Sequence, residues 1–233
     1  EKLKKTVDKL YSILPFESAF FKQHGLDVEY VGNPVMDALK QNIPTVPKEL
    51  PKSKTVIALL PGSRKPEIEK MLPPMLEVAA LHPDWIFAIA VAPNFELDYF
   101  KKFQSSNVIA IKDNTYNILS SSNAAIVTSG TATLETALLR VPQMVCYKLS
   151  PLTYWIGKQV VKVKYISLVN LILNKPAVKE LVQEDCNALD IDTELQRIMS
   201  TKGLVQIQSD YVELSKTIGN TKASEVVAQR ILA

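Results

Sequence analysis

The stretch A-I-V-T-S-G-T-A-T-L-E-T-A-L-L-R-V-P, residues 125–142, runs from an apolar strand-like segment into a helix-like one across three small residues, Ser129, Gly130 and Thr131. Past this hinge Leu134, Ala137, Leu138 and Val141 recur at helical spacing and form a buried stripe. Strand, hinge and helix in that order are the repeating piece of βαβ units around a parallel sheet. Glu135 does not fit the stripe, because it projects about a quarter turn from its centre. A capping-box glutamate follows a Ser or Thr by three residues, whereas position 132 holds Ala132. Local ion pairing fails as well, since the i±3 and i±4 neighbours are Thr131, Ala132, Leu138 and Leu139, none of them basic. Plain solvent exposure stays open beside a functional reading, in which a carboxylate one turn above a strand end accepts two hydrogen bonds from a ribose diol.

The same alternation extends in both directions. Short β-branched runs predict strands at residues 11–14, 28–31, 55–60, 86–91, 108–111, 124–128 and 143–147. Amphipathic stretches predict helices near residues 18–24, 67–81, 94–105, 116–121 and 131–139, with further pieces beyond Pro151. The expected fold class is α/β, a Rossmann-like parallel sheet with helices on both faces. Residues 41–54, Q-N-I-P-T-V-P-K-E-L-P-K-S-K, crowd three prolines and several charges between strand-bearing regions and read as a linker between domains. Residues 1–40 then supply a strand, a helix and another strand, too little to fold alone. They are expected to be the tail of a missing amino-terminal domain, followed by a lobe over residues 55–215 and a carboxyl-terminal helix over 216–233. The chain does not begin with Met, in keeping with a piece of something longer.

Composition removes several function classes. With 233 residues, 47% of them hydrophobic and 22% charged, the chain can bury a sizeable core and is neither disordered nor fibrous. A formal net charge of +3, without an arginine-rich run or an array of stacking aromatics, argues against a nucleic-acid partner. Cys146 and Cys186 lie far apart without metal-ligand spacing, which points to free thiols in a reducing compartment and to no metal. The first residues do not form a signal peptide, and no apolar run approaches the ~18 residues of a membrane span. His24 precedes Gly25 and His82 precedes Pro83 at expected helix ends, where an imidazole suits the helix dipole, so neither reads as a general base.

Further stretches carry chemistry. I-A-L-L-P-G-S-R-K-P-E-I-E, residues 57–69, runs from a buried strand through Gly62, Ser63 and Arg64 into a helix, the position at which open α/β sheets bind ligands. Glycine lets a ligand approach the backbone, the first helical amides can hold phosphate oxygens, and Arg64 adds a permanent forked charge. The stretch is neither a P-loop nor a G-x-G-x-x-G dinucleotide fingerprint. The alternative is that Ser63 and Pro66 only start the helix, with Glu67 and Glu69 serving its dipole and partly repelling an anion. Residues 147–172 are rich in aromatics, aliphatics and lysines and hold no acidic residue; Leu152, Trp155, Ile156, Val160 and Val163 share one helical face. That composition suits an anionic membrane surface or an acylated ligand, and equally a partner domain. Farther on, Glu180 and Gln183 read as i and i+3 on one helix face. Asp190-Ile191-Asp192 has the D-x-D spacing of metal-dependent sugar transferases, but Asp192 before Thr193-Glu194-Leu195 reads better as a helix N-cap.

Taken in order, I-L-P-F-E (13–17), Y-V-G-N-P (30–34), L-L-P-G-S-R (59–64), S-G-T-A-T-L-E (129–135), S-L-V-N-L (167–171) and K-E-L-V-Q-E (179–184) resemble the carboxyl-terminal part of the lipid-A-disaccharide synthase family. The likeness spans nearly the whole chain, and the joint order of the pieces is far more specific than any one of them. It implies the carboxyl-terminal lobe of a two-lobed GT-B glycosyltransferase, inverting, metal-independent and without a cofactor, with the donor held mainly by this lobe. The implied reaction moves 2,3-diacylglucosamine from its UDP derivative to 2,3-diacylglucosamine 1-phosphate and releases UDP.

The resemblance also implies roles for residues. Gly62, Ser63 and Arg64 fall at the mouth of the donor site, Ser129, Gly130 and Thr131 near the diphosphate, and Glu135 on the ribose. Lys148, Asn170, Glu180 and Gln183 fall at the phosphate and sugar end, and Arg64 and Asn170 are the implied catalytic pair. Two positions depart from the family pattern: Lys148 stands where arginine is expected, losing a bidentate fork, and Val169 where proline is expected. The implied general base is an acidic residue of the amino-terminal lobe, so this chain alone is expected to bind UDP without turning over. Implied partners are the UDP-linked acylated amino sugar, the acylated sugar 1-phosphate acceptor and an anionic membrane surface, with a homodimer left open. The implied location is cytoplasmic, peripheral on the inner membrane of a Gram-negative-type bacterium. A UDP-sugar 2-epimerase of the same architecture, a non-catalytic UDP-binding module and a membrane-surface module with a vestigial site stand as alternatives.

Overall fold

A computed structural model of the chain describes residues 2–51, 53–112, 115–128, 130–148 and 164–232. Two units are distinguished, Pro44–Tyr211 and Glu1–Ile43 with Val212–Ala233. Residues 1–43 carry α1 (Lys2–Thr6), β1 (Tyr11–Ser12), α2 (Glu17–Gln23), β2 (Glu29–Tyr30) and α3 (Pro34–Gln41). Then come β3 (Val56–Leu60), α4 (Lys65–Leu81), β4 (Ile86–Ala90), α5 (Leu97–Phe100), β5 (Val108–Ile111), α6 (Thr115–Ser120), β6 (Ala124–Thr128), α7 (Thr131–Leu138) and β7 (Gln143–Tyr147). The chain continues through α8 (Leu168–Leu173), β8 (Glu180–Val182), α9 (Ala188–Met199), α10 (Thr201–Ile218) and α11 (Ala223–Leu232).

In the larger unit the described strands form a parallel sheet in the order β5-β4-β3-β6-β7-β8. Every residue of β3, β4 and β6 is buried, so the sheet is covered on both faces and its central strands read as continuous apolar runs. Strand side chains alternate between faces. On one face Val56, Ala58 and Leu60, Ile86, Ala88 and Ala90, and Ala125 and Val127 pack with Ile118 and Leu119 of α6. The other alternation, Ile57, Leu59, Phe87, Ile89 and Ile126, is also buried, and α4 contributes Ile68, Met71, Leu72, Met75 and Val78 to the core. The Rossmann-like fold class expected from the alternation of runs is therefore observed. Pro73 and Pro74 lie within α4, where their missing N–H groups leave the carbonyls of Glu69 and Lys70 without the usual helical donors.

The smaller unit has a short parallel pair, Tyr11 opposite Glu29 and Ser12 opposite Tyr30. Its carboxyl-terminal part closes on it through polar bonds: Tyr30 donates to the Ile218 carbonyl at 2.8 Å, Lys40 to the Asn220 carbonyl at 2.9 Å, and Arg230 to Glu29 at 2.7 Å. Asn33 caps α3 by accepting from the Val35 amide at 2.9 Å, and it donates to the Ile13 carbonyl at 2.8 Å.

Several expectations are corrected. The helix α3 replaces featureless chain before the proline-rich stretch, although Asn33 at its cap and Pro34 at its first position are ordinary start signals. The helix expected over residues 94–105 shrinks to α5 and a 3-10 turn at Lys101–Phe103. Glu180 and Gln183 do not share a helix. Glu180 opens β8, and Gln183 begins a 3-10 turn with φ of 54°. Asp192 is not an N-cap, because α9 already starts at Ala188 with Asn187 accepting from the Asp190 amide at 3.0 Å. Within the expected linker, Leu50 is buried in the core of the larger unit, and the Thr45 amide donates to Asn117 at 2.9 Å.

Candidate functional site

The strand order reverses between β3 and β6, where neighbouring connections leave toward opposite edges of the sheet. Open parallel sheets bind ligands in the crevice at the carboxyl ends of such strands. A cleft of about 370 Å³ opens there. Its lining includes Gly62, Ser63 and Arg64 from the β3–α4 turn, Gly130 and Thr131 from the β6–α7 turn, and Glu135 from the second turn of α7. The strand-end residues Leu60, Ala90 and Thr128 lie in the same wall. Residues more than sixty positions apart in sequence are thus brought to one opening by two adjacent strand-turn-helix units.

Backbone conformation explains the two glycines. Gly62 has φ of 107°, and a Cβ there would lie 2.6 Å from Glu67 Oε2 and 2.9 Å from Glu67 Cβ. Gly130 has φ of 150° and serves as N-cap of α7, with no side chain capping the helix. The Thr133 amide already donates to the Gly130 carbonyl at 3.2 Å, so it is the amides of Thr131 and Ala132 that face solvent or a ligand, and the helix dipole favours an anion there. The first turn of α4 is occupied differently. Glu67 reaches back so that Oε2 accepts from the Ser63 amide at 3.2 Å, while Oε1 accepts from Arg64 Nη1 at 3.3 Å. The Arg64 side chain is 79% exposed, so this pair contributes little to stability and leaves the guanidinium free to change partner.

Glu135 has a partner that local spacing does not reveal. Tyr116 of α6 donates to Glu135 Oε1 at 3.3 Å from nineteen positions away. Burial raises the Glu135 carboxyl above its ordinary range, and the Tyr116 hydrogen bond opposes that rise. The Tyr116 hydroxyl is itself pushed up to about 12, by burial first and then by the Glu135 charge. Thr128 was not singled out from sequence. Its hydroxyl is buried without a hydrogen-bond partner among the described residues, and its only sequence signal is its place as last residue of a strand that runs into a hinge.

The remaining expected site residues fall elsewhere. Ser129 lies outside the described residues, as do residues 149–163 of the apolar and basic stretch at 147–172. Lys148 follows β7 and donates to the Cys186 carbonyl at 3.3 Å. Asn170 is 1% exposed and fully engaged: Nδ2 donates to the Val178 carbonyl and to Glu180 Oε1, both at 2.8 Å, while Oδ1 accepts from the Val178 amide at 2.9 Å. The Glu180 carboxylate also accepts from the amides of Ile166 and Ser167, each at 2.9 Å, at the start of α8. None of Lys148, Asn170, Glu180 and Gln183 lines the 370 Å³ cleft. Asn170 and Glu180 instead border a separate depression with Tyr165, Lys179 and Arg197.

The two cysteines, distant in sequence, come together across β7 and the turn after β8. Both are free and buried, and the hydrogen bond that Cys146 donates to Cys186, together with burial, pushes the Cys146 thiol up. Among the described residues no cluster of three His, Cys, Asp or Glu could hold a metal ion. Among the same residues no helix is long and apolar enough to cross a membrane.

A family model described as Lipid-A-disaccharide synthetase matches residues 1–231. The chain belongs to the lipid-A-disaccharide synthetase family. Relatives within this family include lipid-A-disaccharide synthases of Anaeromyxobacter dehalogenans (strain 2CP-C), 32% identical over 244 residues, and of Coxiella burnetii (strain Dugway 5J108-111), 34% identical over 208 residues. The first alignment covers 100% of this chain and 64% of the relative, the second 86% and 55%. This member of the lipid-A-disaccharide synthetase family thus spans less than two thirds of the length of the relatives it matches. Among solved structures, the S. aureus MnaA-UDP co-structure has a TM-score of 0.69 at 14% identity, covering 96% of this chain and 60% of that one. The UDP-GlcNAc 2-epimerase from Neisseria meningitidis bound to UDP-GlcNAc has a TM-score of 0.64 at 18% identity, covering 95% and 61%. At such identities the likeness concerns the fold, that of the GT-B glycosyltransferases and epimerases.

Proposed function

We propose that residues 55–215 form the donor-binding lobe of a lipid-A-disaccharide synthase. In this reading residues 1–40 and the carboxyl-terminal helix at 216–233 accompany an amino-terminal acceptor lobe. The observation that carries it is the convergence of the Gly62–Arg64 turn, the Gly130–Thr131 hinge and Glu135 on one cleft at the reversal point of the sheet. A nucleoside diphosphate matches that set of groups. Glu135 accepts from the ribose diol, the amides at the start of α7 receive the diphosphate, and Arg64 exchanges Glu67 for a phosphate oxygen.

The reaction that fits is displacement at the anomeric carbon of UDP-2,3-diacylglucosamine by the 6-hydroxyl of 2,3-diacylglucosamine 1-phosphate, with inversion and departure of UDP. Charge accumulates on the diphosphate as the glycosidic bond breaks. A helix amino terminus, and Arg64 once it turns from Glu67, stabilise it electrostatically. Asn170 acts by position: its saturated amide fixes Glu180 and the approach to α8, which shape the sugar end together with Lys148 and Gln183. The acyl chains of both substrates call for work at an anionic membrane surface, cytoplasmic and peripheral, and the residues at 147–172 have the composition for that contact.

The test is to give the 233-residue chain both substrates and follow UDP release and disaccharide formation. UDP binding without turnover is expected, because the general base belongs to the amino-terminal lobe. Measurable transfer by this chain contradicts the division of labour.

A further inference from the structure

We propose that Tyr116 is a positioning residue for nucleotide binding: its hydroxyl holds Glu135 Oε1 and thereby presents the other carboxylate oxygen to a vicinal diol in the cleft. This inference rests on the nucleotide reading above. A carboxylate at the end of a glutamate side chain turns easily about its last bond, whereas a diol needs an acceptor plane of fixed orientation. Among the described residues Tyr116 supplies the one hydrogen bond to this carboxylate.

The phenol is itself well anchored. In α6 the next three residues, Asn117, Ile118 and Leu119, are buried, with Ile118 and Leu119 in the core beneath the sheet and Asn117 bonded to the Thr45 amide. Its preceding neighbour, Thr115, lines the cleft. Tyr116 therefore stands on a shelf fixed from below and reaches Glu135 from the side.

A second consequence concerns the proton on Glu135. The ionised carboxylate is the form that accepts two bonds, and burial works against that form while the Tyr116 bond supports it. The other groups facing this carboxylate are Arg64 and Glu67 across the cleft; α8 and β6, which pack on α7, carry no ionisable side chain, and β7 carries only Cys146 and Tyr147. As pH falls through the raised Glu135 value, diol binding is lost. Removing the Tyr116 hydroxyl lets that value rise further, so the loss begins at higher pH.

Calorimetric titrations of the wild type, Tyr116→Phe and Glu135→Ala with UDP and with 2′,3′-dideoxy-UDP test the proposal, with thermal unfolding as the check on folding. Tyr116→Phe is expected to weaken UDP by about fivefold, the worth of one hydrogen bond, and to leave the dideoxy ligand unchanged. It is also expected to move the acid-side loss of UDP affinity upward in pH. Equal weakening of both ligands, or no weakening of UDP, overturns the positioning role. If Glu135→Ala does not change UDP binding, the nucleotide reading of this carboxylate fails instead. Should the phenylalanine variant unfold, Tyr116→Trp, which keeps an aromatic shelf but misplaces the donor, must reproduce the selective loss for UDP.

Discussion

Under the proposed nucleotide reading, Glu67 competes with an incoming phosphate for Arg64. Its carboxylate accepts from the Ser63 amide and from Arg64, and in the proposed reading Arg64 turns from it to a phosphate oxygen. Glu67→Gln keeps an oxygen for the Ser63 amide and removes the like charge. UDP affinity should rise by roughly fivefold, the effect of ~1 kcal/mol expected for an exposed charge near a phosphate. A calorimetric affinity equal to wild type would place the diphosphate elsewhere. Asn170 makes the opposite kind of contribution. Its loss in Asn170→Ala leaves the Val178 amide and part of the Glu180 carboxylate unsatisfied in a buried setting. A cost of about 1–3 kcal/mol is expected, read as a lowered urea midpoint at unchanged slope. At this scale the sequence made Gly62, Arg64, Gly130 and Glu135 legible, because turn chemistry and failed local pairings are one-dimensional properties. Tyr116 was not legible, since its bond to Glu135 exists only after β6 returns α7 beside α6.

Elements depend on a small number of polar pins. His82 ends α4, and its Nε2 lies 2.5 Å from Asp192 Oδ1 on α9, with both side chains largely covered and the imidazole stacked on Trp85 at 4.0 Å. These helices also pack closely on each other. Asp192→Ala should lower stability by about 1–3 kcal/mol, since it strands a covered imidazole nitrogen. Thermal unfolding of a chain this size then shifts by roughly 2–4 °C per kcal/mol. An unchanged unfolding midpoint would mean that the pair is incidental. The strands β5, β6 and β7 were legible to the residue, because each is a short, mainly apolar run set between polar or proline positions. Three-residue β8 was not, as it offers no period to read and its Glu180 and Gln183 mimic a helical i, i+3 pair. The pairing of Asp192 with His82 was hidden for a different reason. A polar residue one turn inside a helix looks like a cap until the true cap, Asn187, is seen.

For the whole molecule, the account assigns donor binding to this chain and the general base to sequence that its relatives carry in addition. The relatives are longer, the first described strands are two-residue pairs, and the cleft holds groups suited to a nucleoside diphosphate. The convergence of the two turns on that cleft could not be read from spacing alone, because it depends on β3 and β6 being neighbours in the sheet despite the two strands between them in sequence. The most direct measurement is a calorimetric titration of the 233-residue chain with UDP, repeated on Glu135→Ala. The account predicts saturable one-to-one binding that weakens by about tenfold in the variant, in line with charge-assisted bonds to a diol worth ~1.5 kcal/mol or more. Absence of binding by the wild type, or equal affinity in the two proteins, would contradict it.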